Sequence, residues 1–406
     1  MFNFWKSDNS SMRAIRDNSA NNRKFKVAIL SSGLGHVYRG VETWSDDIAA
    51  VLKIKAIDVM LYKGGGTKNS VTEKVLPCIR RDSILAKKVV SLFPGFGWHF
   101  GAGSPVQLEG TTFALSFLIE AMKERFDIIH SQEPPVLELL MLFKKLGLIK
   151  AKIILAHGTN EPFEYLSKFD IIQHLSPYYL HEMTARVNYN NTCMYVIPNF
   201  VDVDKFKPSV DMSIRDKFGI PSEAFVVLSV AAIKKDHKRI DYLIKEISLL
   251  RARSRHDIYL ILAGGKTNES DEIIRYAKAL LGDRVIFMLD QQHDIMPAVY
   301  RASDLFVLCS FREMFAIVFL EAMASGLPAI GNRFPVIETV IGEGGDCVDM
   351  AQEGAVASKI VDYLDTAYRT DKCNKAINHV RNNYSKDIVV EQIIHMYESV
   401  LFNNGS

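Results

Sequence analysis

The chain has 406 residues, long enough for two domains with a core each, and its 49 Lys plus Arg against 47 Asp plus Glu leave a net charge of +2. That balance, with no long basic run interleaved with aromatics, argues against a nucleic-acid surface. Five scattered cysteines without C-x-x-C spacing argue for a reducing compartment and against a zinc site, and no uninterrupted apolar stretch approaches the length of a membrane span. The expected location is therefore cytoplasmic. Residues 1–24 carry Asp, Asn, Ser and Arg without an apolar core, which predicts a flexible N-terminal arm and not a secretory signal.

From Lys26 onward strands alternate with helices. Lys26 to Leu30, Ala56 to Leu61, Asp127 to His130 and Lys152 to Ala156 are short apolar runs that predict strands. Amphipathic stretches at Glu42 to Lys53, Leu108 to Arg125 and Val136 to Leu146 separate them. The pattern begins again at Phe225 to Val230, followed by Tyr259 to Ala263, Val285 to Met288 and Leu305 to Leu308. This predicts an α/β chain of two Rossmann-like, doubly wound domains facing a cleft.

Such sheets place ligands at the carboxyl ends of their strands. After the first strand, Gly33-Leu-Gly35-His36-Val-Tyr-Arg39-Gly40-Val-Glu42 is a glycine loop that permits close backbone approach, with His36 and Arg39 adding positive character. Its glycine spacing is not that of the dinucleotide fingerprint. His130 ends one strand and reads as packing, whereas His157 directly follows another and precedes Gly158. Between Arg80 and Phe93, four basic residues (Arg80, Arg81, Lys87 and Lys88) stand beside apolar ones, the pattern of a helix lying on an anionic surface. It predicts a weak peripheral contact at the inner membrane face. The next stretch, to Ser104, combines aromatics including Trp98 with glycines, and aromatic faces suit sugar rings or lipid headgroups.

Near the end of the second half, the strand over Ser303 to Cys309 leads through a polar turn, Ser310 to Met314, into a helix expected from about Phe315 to Gly326. A helix entered this way turns free N–H groups and the positive end of its dipole toward the cleft, which suits a phosphate. Glu313 stands just before that end and Glu321 about two turns later, on one stripe with Met314 and Val318. Carboxylates accept hydrogen bonds from hydroxyls, so one would hold a hexose and the other a ribose while the amides of Phe315, Ala316 and Ile317 meet a diphosphate. Glu321, flanked by Phe319, Leu320 and Met323, needs a polar partner.

This stretch resembles the E-x7-E signature of the retaining glycosyltransferases of family 4, which have the GT-B fold, and further matches run from about Phe25 to Tyr397. Gly40-Val-Glu42 looks like the family's G-G-x-E opening, near the donor diphosphate, and His157-Gly158 like its H-G motif, whose histidine lies against the donor sugar. Tyr195 to Pro208 is similar to its interdomain segment, with Phe200 where a glycine is usual. Asp202-Val-Asp204 also matches the D-x-D metal signature of a different transferase fold, but its place inside this segment predicts no metal. Ser229 to Ile244 resembles G-R-x-x-x-x-K-G-x-x-x-L-I, in which arginine and lysine hold the leaving diphosphate. Lys238 matches the lysine, while Ala232 stands where the arginine is expected; Lys234, Lys235 and Arg239 are the nearest substitutes. Ala316 replaces the usual glycine, and Ile388 to Leu401 resembles the terminal helix that crosses back to the first domain.

The resemblance implies an acceptor-side domain over residues 25–205 plus about 386–406 and a donor domain over 206–385. The implied function is metal-independent transfer of a sugar, with retention, from a nucleotide sugar. UDP or GDP is the expected nucleotide, no cofactor is needed, and the acceptor is a glycan, a lipid-linked or a small molecule. His157, Lys238 and Glu313 would be catalytic; Gly35, Gly40, Phe315, Ala316, Ile317 and Glu321, with Lys238 and Glu313, would bind donor. His36, Arg39 and Trp98 would lie on the acceptor side. Ala232 supports the alternative, a catalytically silent nucleotide-sugar-binding or scaffold protein.

Overall fold

The computed structural model describes residues 25–37, 39–93, 95, 97–187 and 192–402; the expected arm over residues 1–24 lies outside them. The first sheet comprises β1 (Lys26–Ser31), β2 (Asp58–Lys63), β3 (Glu73–Val75), β4 (Ile128–Ser131), β5 (Lys152–His157), β6 (Ile171–His174) and β7 (Cys193–Val196). They run parallel in the order β3-β2-β1-β4-β5-β6-β7. The second comprises β8 (Phe225–Val230), β9 (Ile258–Gly264), β10 (Val285–Leu289), β11 (Leu305–Val307), β12 (Ala329–Asn332) and β13 (Gly345–Val348), parallel in the order β10-β9-β8-β11-β12-β13.

Both orders reverse direction beside their first strand, between β1 and β4 and between β8 and β11, and each reversal opens a crevice at the carboxyl ends. Helices cover both faces, so inner strands such as β4 and β11 are buried along their whole length and read as continuous apolar runs. β2 starts at Asp58, not Ala56, because Ala56 adopts φ +59° and closes the preceding Gly40–Ile54 helix. β3, β6, β7, β12 and β13 add strands that the sequence pattern did not single out.

The Lys386–Phe402 helix returns to the first domain, where Val389, Val390, Ile393 and Tyr397 join the core of Val27, Trp44 and Ile48. Tyr397 Oη lies 2.8 Å from His130 Nδ1 in this core, so His130 is a packing residue. The interdomain segment is pinned beside this helix: Val201 N–H donates to the Tyr384 carbonyl at 2.9 Å, and Lys386 Nζ donates to Asp202 and Asp204, both at 2.9 Å. The D-x-D carboxylates thus serve the crossover.

Candidate donor and acceptor site in the crevice

The Ile317–Ala324 helix starts two residues later than expected. Ala316 is its N-cap at φ +51° and ψ +74°, the left-handed region, so the chain turns sharply before the helix and no side chain caps the first N–H groups. Met314 therefore lies outside the helix and does not share a helical stripe with Val318 and Glu321. A methyl in this conformation costs about 1 kcal/mol, which gives the glycine usual here a conformational reason. Ala316→Gly should raise the unfolding free energy by about 0.5–1 kcal/mol, measured by denaturant titration; an unchanged or lowered midpoint would contradict it.

Glu313 sits in the turn with its side chain 12% exposed. Lys238 Nζ donates to its Oε1 at 2.5 Å, and His237 Nε2 lies 3.7 Å away. The cation and carboxylate expected on phosphate and sugar thus form one cluster. Glu321 is buried and has the partners its surroundings require: Tyr300 Oη donates to Oε2 at 2.7 Å, and His293 Nε2 lies 2.8 Å from Oε1. Hydrogen bonding to Glu321 raises the His293 pKa above its ordinary value. Neither Tyr300 nor His293 was identified from sequence, although Tyr300 lies in the stretch leading into the signature.

Of the cations near Ala232, two are committed elsewhere. Lys235 is paired with Glu272 at 2.6 Å. Arg239 lies between the rings of Phe311 (4.0 Å) and Tyr242 (4.1 Å) and donates to the Met350 carbonyl at 2.8 Å. Lys234 is half-buried and makes no ion pair among the described residues.

On the first domain, His157 ends β5 inside an aromatic cage. Its ring meets Tyr179 edge-on at 5.2 Å, and its Nδ1 lies 3.1 Å from His174 Nδ1. Burial, reinforced by His174, pushes its pKa down to about 3, so the imidazole is neutral at neutral pH and offers hydrogen bonds without a charge. Tyr179, from the Pro177–Arg186 helix, also crosses the crevice: its hydroxyl donates to the Glu313 carbonyl at 3.2 Å, while the neighbouring Tyr178 ring meets Phe334 of the second domain at 5.2 Å. The H-G histidine and the Glu313 turn are thereby joined through one tyrosine.

The glycine loop after β1 belongs to the same sheet. Gly35, at φ +96°, packs so tightly that a Cβ would lie 2.2 Å from the Gly65 carbonyl oxygen. A Cβ at Gly40 would meet nothing within 4 Å, so protein packing does not demand glycine there. The expected positive character is corrected: His36 is turned inward, with Nε2 3.0 Å from buried Glu109, and Arg39 is paired with Glu42 at 2.7 Å. Arg81 completes this network, donating to Glu109 from its backbone N–H (2.6 Å) and from its guanidinium (2.5 and 2.8 Å). Beside it Glu133, half-buried, accepts from Ser31 and Ser32, and desolvation raises its pKa. Trp98 lies exposed in the Gly97–Phe100 turn, against Gly103.

Residues 211–382 match the model of the glycosyl transferases group 1 family. Over 53% of its length the chain is 28% identical to D-inositol 3-phosphate glycosyltransferase of Salinispora tropica, covering 48% of that protein. It is 26% identical over 69% of its length to N-acetyl-alpha-D-glucosaminyl L-malate synthase of Bacillus anthracis, covering 77% of it. The chain spans about half the length of the inositol-phosphate relative it matches. The fold is similar, with a TM-score of 0.71 and 18% identity over 92% of this chain and 100% of the other, to that of Anabaena HepE solved with UDP and glucose. Residues 211–382 are thus similar to the glycosyl transferases group 1 family, and the chain has the two-domain GT-B fold.

Proposed function

We propose that the protein transfers a sugar from a nucleotide-sugar donor to an acceptor, with retention of anomeric configuration and without a metal ion. One observation carries this reading: Glu313, ion-paired to Lys238, is linked through its carbonyl and Tyr179 to His157 across the crevice, so the groups suited to phosphate and sugar converge. The uncapped helix N-terminus beyond Ala316 supports a diphosphate site, and Glu321, whose oxygens retain free lone pairs, supports a ribose site. UDP is the nucleotide we favour, since the similar Anabaena protein was solved with UDP and glucose.

In the proposed reaction the bond from the sugar to the nucleoside diphosphate breaks as the acceptor oxygen bonds on the same face, and the acceptor's proton passes to the departing phosphate oxygen. Lys238 stabilises the charge that accumulates on the leaving phosphate, and Lys234, which makes no ion pair among the described residues, would stand in for the arginine missing at Ala232. Neutral His157 would orient the sugar by a hydrogen bond. The proposed place of action is the cytoplasm, at the inner membrane face. No helix among the described residues is long and apolar enough to cross a membrane.

With a UDP-sugar and a turned-over acceptor, NMR of the product should give the donor's anomeric configuration, and EDTA should leave the rate within about twofold, because the leaving charge is met by Lys238 and backbone N–H groups. Inverted product, or complete loss in EDTA restored by magnesium or manganese, would overturn the corresponding part of the reading.

A further inference from the structure

The outer face of the first domain leaves a set of large apolar side chains uncovered. The helix Ile84–Leu92, capped by Ser83, buries Ala86 against Leu108 of the Pro105–Lys123 helix, and its opposite side presents Ile84, Leu85 and Leu92, continued by Phe93. Leu108 heads a stripe on the longer helix at i, i+7, i+11 and i+14, namely Leu108, Leu115, Ile119 and Met122. The shorter helix covers only the first of these, and the other three continue the uncovered face. Counting Trp98, which lies over the start of the longer helix, these side chains are 49–72% exposed.

The charges on this face have one sign to spare. Asp82 is held by Arg80 (3.0 Å), Glu109 by Arg81 (2.5 Å) and Glu120 by Lys74 (2.5 Å), while Lys87 and Lys88 are exposed and make no ion pair among the described residues. Unpaired lysines among uncovered leucines disfavour a protein interface: lysine is depleted there, and a two-fold contact would bring Lys87 and Lys88 toward their own copies. They complement an anionic lipid surface, where ammonium groups meet headgroups and the neighbouring apolar side chains enter the acyl boundary.

We propose that this face docks the protein on an anionic bilayer. Arg81, three residues before the Ile84–Leu92 helix, reaches Ser32 and stands 3.2 Å from an ideal Cβ on Gly33, at the end of β1 where the crevice opens. Docking therefore brings the crevice rim to the lipid surface.

The test is flotation of the full chain with vesicles of equimolar phosphatidylcholine and phosphatidylglycerol at low salt, against phosphatidylcholine alone. Wild type co-floats with the anionic vesicles only, Lys87→Gln with Lys88→Gln lowers the partition about thirty-fold, and Leu92→Ser with Phe93→Ser abolishes it. All the altered side chains are exposed, so thermal melts and donor titrations of the variants match wild type. Donor titration separates the two readings, since a chain that floats without binding any nucleotide sugar loses the transferase reading and keeps this one. The proposal is overturned by absent co-flotation, by equal partition onto neutral vesicles, or by indifference to the lysine changes. A dimer in sedimentation that Leu92→Ser with Phe93→Ser dissociates also overturns it, by assigning the face to a second copy.

Discussion

Lys238→Ala should lower kcat by a factor on the order of 10²–10³ while leaving the fold intact. Removal of one preorganised group that meets developing charge typically costs about 3–4 kcal/mol of transition-state stabilisation. Lys238 is the cation placed on Glu313, and with Ala232 in the arginine position two of the neighbouring cations are committed elsewhere: Lys235 is held by Glu272 and Arg239 by Met350 and two rings. The effect should appear in kcat more than in donor affinity, because the charge grows on departure of the diphosphate. Lys234→Ala should produce a smaller loss of the same kind, whereas Lys235→Ala should be nearly silent. Steady-state release of nucleoside diphosphate by the three variants checks this order. A Lys238→Ala protein with wild-type kcat would remove the lysine from the mechanism.

Glu321→Gln should weaken donor binding by a factor of about 3–13, the equivalent of about 0.7–1.5 kcal/mol, because a charge-assisted hydrogen bond is reduced to a neutral one about half as strong. The amide keeps the shape and can still accept from Tyr300, so the buried hydroxyl is not orphaned and stability changes little. Alanine would strand Tyr300, which is fully buried, and would confuse affinity with folding. Isothermal titration with a UDP-sugar measures the effect, with Tyr300→Phe as a control that frees Glu321 on one side without removing its charge. Equal affinity of wild type and Glu321→Gln would mean that this carboxylate serves the second domain's packing and not the donor.

Much of the frame was legible because its strands are buried on both faces and announce themselves as apolar runs: β1, β5, β8, β9 and β10 lie within two residues of where the pattern puts them. The strands that escaped carry weaker signals. β6 is Ile-Ile-Gln-His, β12 ends Gly-Asn and β13 begins Gly-Asp, so their pairing partners, not their composition, make them strands. The helix of the signature starts late because Ala316 takes a left-handed conformation that its sequence does not advertise.

At the site, residue identity was easier to read than partnership. An apolar setting announced that Glu321 needed a polar neighbour, yet Tyr300 and His293 stand 21 and 28 positions away and reach it only through the fold. His36 misled for the same reason, since its loop suggested a free positive group and only the packing shows Glu109 holding it inward. Tyr179, the link between His157 and Glu313, carries no local motif and lies 134 residues from its acceptor.

The most direct test of the proposed transfer is nucleoside diphosphate release by wild-type protein across UDP-, GDP-, ADP- and dTDP-sugars, offered with candidate acceptors and run beside calorimetric titration of each donor. The expected result is binding and turnover of at least one donor, with UDP first among them, and loss of that turnover in Lys238→Ala. Donor binding without turnover by wild type, with turnover appearing in Ala232→Arg, would contradict it and make this chain a silent nucleotide-sugar binder of the same fold.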